Sequence, residues 1–273
     1  MVEKQLQKKI ERIKNILQGK KVLVAFSGGV DSSVVTRLAL EFCAKVVAVT
    51  AILKVSPPGE LEGAKYVAEE LGVDWRTIEI AVLEDANFTA NPPNRCYFCK
   101  KELMTALLQL AEGEGLDYVI DGTNYDDLKD IRPGYQAVQE LQIQSPLAEA
   151  GITKNEIRQI AKEYQLSIFN KPAMACLASR IPYGNEITER KLKMIAEAET
   201  LIKNLTEVSV VRVRHHGNMA RIEVAPDERS KFFREEVLDQ IVVALKKLGF
   251  VYVTLDLQGY RSGSMNEPLG DTL

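Results

Sequence analysis

The first candidate for chemistry is the run Ser27-Gly28-Gly29-Val30-Asp31-Ser32-Ser33, which follows the apolar stretch 22–26. This order predicts a buried strand, a tight glycine turn and a helix that opens with hydroxyls. Backbone N–H groups in such a turn, with a helix N-terminus behind them, form a site for phosphate anions. A loop for γ-phosphoryl transfer would place a lysine before its Ser or Thr. Here no lysine occurs within the run, and an acid, Asp31, stands there instead.

The run resembles the PP-loop of ATP pyrophosphatases. That resemblance implies a loop that grips the β,γ-pyrophosphate of ATP and leaves the α-phosphorus open to attack, which yields an adenylated substrate and pyrophosphate. We therefore expect Asp31 to be catalytic and the loop to bind ATP through six residues: Ser27, Gly28, Gly29, Asp31, Ser32 and Ser33. A glycine-rich turn of an unrelated α/β protein is the alternative interpretation.

A second candidate follows the apolar segment 117–120, where Asp121-Gly122 precedes a polar stretch. A glycine at a strand end lets the backbone approach a nucleotide, and nearby carboxylates can hold Mg²⁺ through water. The acidic residues of this stretch are Asp126, Asp127 and Asp130. A solvated acidic loop would show the same composition. We expect Gly122 and Arg132, together with Thr50 at the end of another strand, to bind the nucleotide.

Three of the four cysteines have surroundings that favour reactivity or metal binding. Cys96 and Cys99 open a predicted helix and share one face, where the helix dipole favours thiolates. Cys176 lies among small residues, and the nearby Arg180 would stabilise a thiolate. Cys43 continues the apolar side of a helix and is expected to be a small buried residue, which is also the alternative for Cys176. For the pair, the alternatives are a redox disulfide or half of a zinc site. One of two histidines could complete that zinc site, His215 or His216.

Two arginines of the C-terminal part form a further candidate. Arg212 and Arg214 alternate with Val211 and Val213, so both guanidinium groups project from one face of a predicted strand. Two neighbouring guanidinium groups suit a phosphate or paired carboxylates. A strand with an ordinary charged outer face gives the same alternation, so the residues alone leave both interpretations open.

Strands alternate with helices in the part of the chain that carries these loops. Strands are predicted near 21–26, 45–50, 75–80 and 117–121, separated by helices near 33–42, 59–71 and 96–111. This alternation predicts an α/β fold with a doubly wound parallel sheet, whose ligands bind at the carboxyl ends of the strands. The alternating pattern of strands and helices ends near residues 182–184. The residues that follow predict a second, smaller α+β domain. The predicted domains are 1–184 and 185–273.

Composition narrows the function classes. The chain has 273 residues, of which 46% are hydrophobic and 27% charged, as in an ordinary globular protein. A net charge of −3 and a pI near 5.7 provide no electrostatic footprint for nucleic acid. The polar start and the short apolar runs predict a cytoplasmic protein without a signal peptide or membrane span.

Further segments extend the pattern over nearly the whole chain. Besides the loop at 27–33, they are DG at 121–122 with RPG at 132–134, CLASRIPYG at 176–184, VRVR at 211–214, ARIE at 220–223, and TLDL at 254–257 with YRSG at 260–263. Together they resemble the LarE family of ATP-dependent sulfur transferases, which helps to build the nickel-pincer nucleotide cofactor of lactate racemase.

The resemblance implies that ATP adenylates a carboxylate of a pyridinium-3,5-dicarboxylate mononucleotide and that sulfur then displaces AMP, on both carboxylates. In the sacrificial version Cys176 attacks as a thiolate, and β-elimination from the thioester leaves dehydroalanine in the chain. The resemblance also implies a homo-oligomer, because family members are hexamers. The substrate-binding residues that it implies are Ser179, Arg180, Arg212, Arg214 and Glu223.

The chain departs from the sacrificial pattern because it carries Cys96 and Cys99 as well as Cys176. Three thiolates can bind a [4Fe-4S] cluster and leave the fourth iron open to an extra sulfide. The hypothesis is that these three cysteines are metal ligands and that this sulfide, rather than cysteine sulfur, attacks the acyl-adenylate.

Three other functions stay open at this point. An amidotransferase-type synthetase would need an ammonia source, for which the short N-terminal helix leaves no room. A tRNA-thiolating PP-loop enzyme would want a basic surface, which the acidic balance disfavours. A non-catalytic ATP-binding module would release no pyrophosphate and would give Cys176 no task.

Overall fold

A computed structural model of the protein describes residues 2–129, 133–171, 174–261 and 263–269. None of the helices in these ranges combines the length and the apolar character that a membrane span requires. Arg132 and Asp130, both named above from the sequence, lie outside the described residues.

The described residues form helices and strands that alternate through the first half of the chain. In chain order the helices are α1 (Val2–Leu17), α2 (Val30–Phe42), α3 (Glu60–Leu71), α4 (Ala86–Thr89), α5 (Arg95–Gly113), α6 (Pro133–Glu140), α7 (Pro146–Glu149), α8 (Lys154–Glu163), α9 (Glu189–Thr206) and α10 (Glu235–Lys247). The strands are β1 (Lys21–Ala25), β2 (Lys45–Ile52), β3 (Asp74–Glu79), β4 (Tyr118–Ile120), β5 (Val211–His216), β6 (Met219–Val224) and β7 (Tyr252–Leu255).

Four of the strands form a parallel sheet in the order β3-β2-β1-β4. β1 lies inside the sheet, where Val22 pairs with Val46 on one side and with Tyr118 on the other. Inner parallel strands are covered on both faces, which explains the nearly continuous apolar sequence of β1 and β2. The prediction of a parallel α/β sheet is confirmed.

Helices cover both faces of this sheet. On one face Val22 and Val24 of β1 belong to an apolar core that also contains side chains of α2 and α8. On the opposite face Leu23 belongs to a separate core with Met104 and Leu107 of α5. Successive side chains of a strand point to opposite faces, so the two cores are the two sides of a doubly wound sheet.

A smaller mixed sheet has the order β5-β6-β7, with β5 and β6 antiparallel and β6 and β7 parallel. Val211 and Val213 of β5 lie in an apolar core together with side chains of α9 and α10. The alternate residues of β5, Arg212 and Arg214, therefore project from the opposite face of the strand, as the alternation predicted.

The chain divides into two compact units. The first comprises Met1–Leu53, Pro58–Val82 and Asn94–Met174, and the second comprises Lys54–Pro57, Leu83–Pro93 and Ala175–Leu273. The second unit thus includes two short segments from the first half of the chain. The functional domain boundary between 184 and 185 stays a prediction, since compactness alone does not test it.

Candidate functional site

In the first unit, the glycine turn that joins β1 to α2 is held by its own hydroxyls. The Ser27 and Ser32 hydroxyl oxygens are 3.1 Å apart, and the Ser33 hydroxyl donates to the Gly29 carbonyl at 2.8 Å. Gly29 is the N-cap residue of α2 and provides no side-chain acceptor for the amides of the first turn. Such amides at the positive end of a helix dipole favour an anion.

Two glycines allow the backbone to pack closely around this turn. Gly28 has a φ of +65°, and a Cβ placed on it would lie 2.5 Å from the Cα of Ala64 in α3. A Cβ on Gly122, just beyond β4, would lie 2.8 Å from the backbone nitrogen of Ser32. The structure thus brings the end of β4 against the first turn of α2, as the predicted strand-end position of Gly122 requires.

Asp31 lies in the first turn of α2 and forms an ion pair with Lys154, the first residue of α8. Burial raises the pKa of Asp31, and the hydrogen bond and charge of Lys154 act in the opposite direction. Its Oδ1 atom is buried and has no hydrogen-bond partner among the described residues. A buried carboxylate oxygen of this kind fits a hard cation such as Mg²⁺, which prefers oxygen ligands.

Sequence reasoning missed Lys154, because it lies 123 residues after its partner. A local signal for its helix does exist. Thr153 and Glu156 form a capping box, in which the Thr153 hydroxyl accepts from the Glu156 amide and the Glu156 carboxylate accepts from the Thr153 amide. This signal predicts the start of a helix but not its partner.

Thr50 lies near the carboxyl end of β2, two residues before the strand ends, and Asp121 follows β4 on the other side of β1. The buried Thr50 hydroxyl donates to the Phe26 carbonyl at 2.7 Å and accepts from the Trp75 ring nitrogen at 2.9 Å. Asp121 is buried and accepts from the Ser145 hydroxyl at 2.8 Å. Both side chains therefore fix the loops around the turn, and the direct contact of Thr50 with nucleotide stays a prediction.

The paired cysteines lie in the first turn of α5, where Cys96 is exposed and Cys99 half-buried. By contrast, Cys43 packs against the core, and burial raises the pKa of its thiol to about 11. Cys43 is half-buried rather than fully buried, so its predicted place on the apolar side of the helix is met only in part. No group of three or more Cys, His, Asp or Glu side chains within the described ranges is arranged to hold a metal ion. The pair offers two thiolates to a cluster or zinc site, and the described ranges hold no third Cys, His, Asp or Glu arranged with them.

In the second unit, the remaining cysteine of the sequence prediction, Cys176, precedes a short turn. Cys176 is exposed and precedes the 3-10 turn Leu177–Arg180. The Leu177 amide donates to the Val55 carbonyl at 2.8 Å, and the Ser179 hydroxyl donates to the Cys176 carbonyl at 2.7 Å. Both bonds fix the peptide unit that follows Cys176, whose thiol is exposed to solvent.

A fully buried arginine completes this arrangement. Arg180 is 1% exposed and donates to both carboxylate oxygens of Glu199, at 2.9 and 3.1 Å. Its Nη1 donates to the carbonyls of Ala175 and Cys176, at 2.6 and 2.8 Å. Glu199 also accepts from the Val213 amide at 3.0 Å, which ties α9 to β5. Arg180 thus holds the Cys176 backbone, and its contact with substrate stays a prediction.

The two arginines of β5 have different environments. Arg214 is buried, and its Nη2 donates to Glu223 at 2.6 Å. Arg212 has no carboxylate partner in the described part of the chain, and its guanidinium lies 5.3 Å from the centre of the Tyr260 ring. Burial lowers the pKa of Arg212, and the neighbouring Arg180 cation lowers it further. The nearby Glu199 carboxylate raises the pKa of Arg212 but forms no ion pair with it, so this half-buried cation suits an anionic ligand.

Comparisons with known proteins agree with both units. The NAD synthase family matches residues 2–124. The chain is 38% identical over 251 residues to pyridinium-3,5-bisthiocarboxylic acid mononucleotide synthase of Lactiplantibacillus plantarum, which covers 91% of this chain and 90% of that protein. An uncharacterized protein of Synechocystis is 43% identical over 97% of this chain and 99% of its own length. A tRNA-specific 2-thiouridylase of Desulforamulus reducens is 30% identical over 63% of this chain and 58% of its own length.

The close packing at Gly122 predicts a strong sensitivity to a single methyl group. Gly122→Ala should lower the free energy of unfolding by roughly 1–3 kcal/mol, because the new Cβ presses on backbone rather than on a flexible side chain. The control is Gly113→Ala at the end of α5, where a Cβ would meet nothing within 4 Å. Urea denaturation of both variants measures the difference, and equal effects would contradict the packing described here.

The buried pair of Arg180 and Glu199 predicts a large effect on stability. Glu199→Gln leaves the Arg180 cation buried without its counter-charge, so the free energy of unfolding should fall by roughly 3–5 kcal/mol. Glu197→Gln is the matched control on the same helix, because Glu197 has only an exposed ion pair with Lys193 at 3.8 Å. Its effect should stay below about 1 kcal/mol. A Glu199→Gln protein as stable as this control would contradict the assigned role of the pair.

Proposed function

Because the chain belongs to the family of pyridinium-3,5-bisthiocarboxylic acid mononucleotide synthases, which are ATP-dependent sulfurtransferases, we propose the following reaction for it. The protein uses ATP to convert the carboxylates of a pyridinium-3,5-dicarboxylate mononucleotide into thiocarboxylates, and it releases AMP and pyrophosphate. The observation that carries the proposal is Cys176, an exposed thiol whose backbone is held by Arg180 at the carbonyls of Ala175 and Cys176 and by Val55 at the following amide.

The first step is adenylation in the first unit. The first-turn amides of α2 and the turn Ser27–Gly29 bind the pyrophosphate part of ATP, and Asp31 offers its unpartnered oxygen to Mg²⁺. A carboxylate oxygen of the substrate attacks the α-phosphorus, and the bond from that phosphorus to the bridging oxygen breaks. The electron pair leaves with pyrophosphate, so this step moves no proton.

The second step transfers sulfur. The Cys176 thiolate attacks the acyl-adenylate carbonyl, AMP leaves, and a thioester forms. Loss of the Cys176 Cα proton and breakage of its Cβ–S bond then release the thiocarboxylate and leave dehydroalanine. The exposure of Cys176 supports this route, because the thiol has to be accessible to the acyl group of a bound substrate.

The substrate is anionic, and the second unit offers a cation for it. We assign the substrate phosphate or a carboxylate to Arg212, whose charge no described carboxylate neutralises. Arg214 stays paired with Glu223 and contributes by holding Ser179, since its Nη1 donates to the Ser179 carbonyl at 3.0 Å. Ser179 and Glu223 thus belong to the support of the proposed substrate site.

A second sulfur source is part of the proposal because of the extra cysteines. Cys96, Cys99 and Cys176 are the three cysteines outside the core, and together they would supply the thiolates of a [4Fe-4S] cluster. When bound, such a cluster would provide a sulfide in place of cysteine sulfur. The described side chains do not assemble this ligand set, so no step of the mechanism passes through it.

One experiment tests the sulfur transfer. The protein is incubated with ATP and the dicarboxylate nucleotide, and mass spectrometry follows the thiocarboxylate product. Cys176→Ala should abolish the product while ATP binding persists, whereas the control Cys43→Ala should retain it, because Cys43 lies against the core. A Cys176→Ala protein that still makes thiocarboxylate would overturn the proposal. Sulfur appearing in tRNA instead of the nucleotide would favour a tRNA-thiolating enzyme.

A second measurement distinguishes the sulfur sources. Anaerobically purified protein is analysed for iron and, after one turnover, for the mass of the chain. Sacrifice of Cys176 predicts a chain lighter by the mass of H₂S and no dependence on iron. The cluster predicts bound iron that is lost in Cys96→Ala and Cys99→Ala, together with a chain of unchanged mass.

We also propose that the protein is a homo-oligomer, as the family resemblance implies. Large apolar side chains of the second unit are exposed to solvent, and a subunit interface would cover them. They include Phe233, Tyr252 and Leu257, which are 69%, 65% and 77% exposed. Light scattering of the purified protein measures the subunit number, for which a hexamer is expected.

A further inference from the structure

A lysine from a distant part of the chain lies at the glycine turn of the first unit. The ammonium of Lys171 donates to the Gly28 carbonyl at 3.2 Å, across a sequence separation of 143 residues. It also lies close to α3, where a Cβ on Gly63 would be 3.3 Å from the Lys171 Nζ atom. The turn has no lysine of its own, but the fold places one beside it.

The charge of this lysine is available to a ligand. Lys171 forms no ion pair in the ranges that the structure describes, whereas Lys154 at the same turn is neutralised by Asp31. An ammonium group has three donors, and the Gly28 carbonyl accepts from one of them. The side chain is half-buried, where a charge acts more strongly than in bulk water.

We propose that Lys171 binds the pyrophosphate end of ATP and stabilises it as the leaving group. This inference rests on the proposed function and adds a residue to its first step. When the substrate carboxylate attacks the α-phosphorus, the bond to the bridging oxygen breaks and that oxygen takes the electron pair. The departing pyrophosphate gains negative charge. The Lys171 ammonium and the first-turn amides of α2 stabilise this charge by hydrogen bonds, and no proton is transferred.

The position of Lys171 suits this role. The ammonium lies at the Gly28 carbonyl, on the turn that precedes the positive end of α2. Cation and amides therefore act on the same anion from two elements, while Asp31 remains paired with Lys154 or available to Mg²⁺. A ligand that lacks the pyrophosphate part, such as AMP, would gain little from Lys171.

The test compares two ligands on one variant. Titration calorimetry measures the affinity of inorganic pyrophosphate and of AMP, both with Mg²⁺, for the wild-type protein, Lys171→Met and Lys171→Arg. We expect Lys171→Met to weaken pyrophosphate binding by about tenfold or more, because a charge-assisted hydrogen bond is lost. AMP affinity should change by less than about twofold, and Lys171→Arg should recover part of the pyrophosphate affinity. Lys162→Met, at an exposed position of α8, is the matched control.

Two results would overturn the inference. Unchanged pyrophosphate affinity in Lys171→Met would show that the lysine does not touch this group, and equal weakening of AMP would show that it only supports the turn. Failure of the proposed function is a separate result: the wild-type protein, given ATP and the dicarboxylate nucleotide, would release no pyrophosphate. If the wild-type protein releases pyrophosphate and the Lys171→Met protein binds pyrophosphate with unchanged affinity, only the assignment of Lys171 is overturned.

Discussion

The crowding of backbone around the first turn of α2 is the constraint on which the first unit depends. Gly28 lies against Ala64 of α3, and Gly122 lies against the backbone of Ser32. Because both positions exclude even a methyl group, the ends of β1 and β4 converge where the helix amides point outward. Backbone donors, the Asp31 carboxylate that suits Mg²⁺ and the Lys171 ammonium then lie around one turn. Because the sheet is parallel, the carboxyl ends of its strands lie at the same edge, and this arrangement brings the two loops together.

In the second unit, the exposed thiol of Cys176 lies on a backbone that hydrogen bonds hold in place. Burial of an unpaired arginine carries a large desolvation free energy. Glu199 offsets it for Arg180 by accepting two hydrogen bonds. The remaining donors of Arg180 hold the carbonyls around Cys176, so the exposed thiol rests on a buried support. Arg214 is likewise paired with Glu223. Arg212 forms no ion pair with a carboxylate in the described ranges, which is why the proposed function assigns the substrate anion to it.

The sequence predicted the alternating elements, the glycine turn and the strand-end position of Gly122, because each depends on neighbouring residues and on the periodicity of strands and helices. From the sequence, Arg180, Arg212 and Arg214 all appeared as substrate-binding residues. Only their partners in the structure distinguish an arginine that holds the neighbouring backbone from one that is free of ion pairs among the described residues. Those partners come from other elements, as do Lys154 and Lys171 at the glycine turn, and no local pattern encodes such pairings. The helices α6 to α8 were also missed, although the capping box at Thr153 and Glu156 was a visible signal.

The proposed reaction requires the first unit to bind ATP in an orientation that separates AMP, and not ADP, from the remaining phosphates. ATP labelled at the β- and γ-phosphates, incubated with the protein, Mg²⁺ and the dicarboxylate nucleotide, tests this directly. Chromatography of the products should recover the label in pyrophosphate, in step with AMP. Label divided between ADP and orthophosphate would contradict the account of both the glycine turn and the reaction.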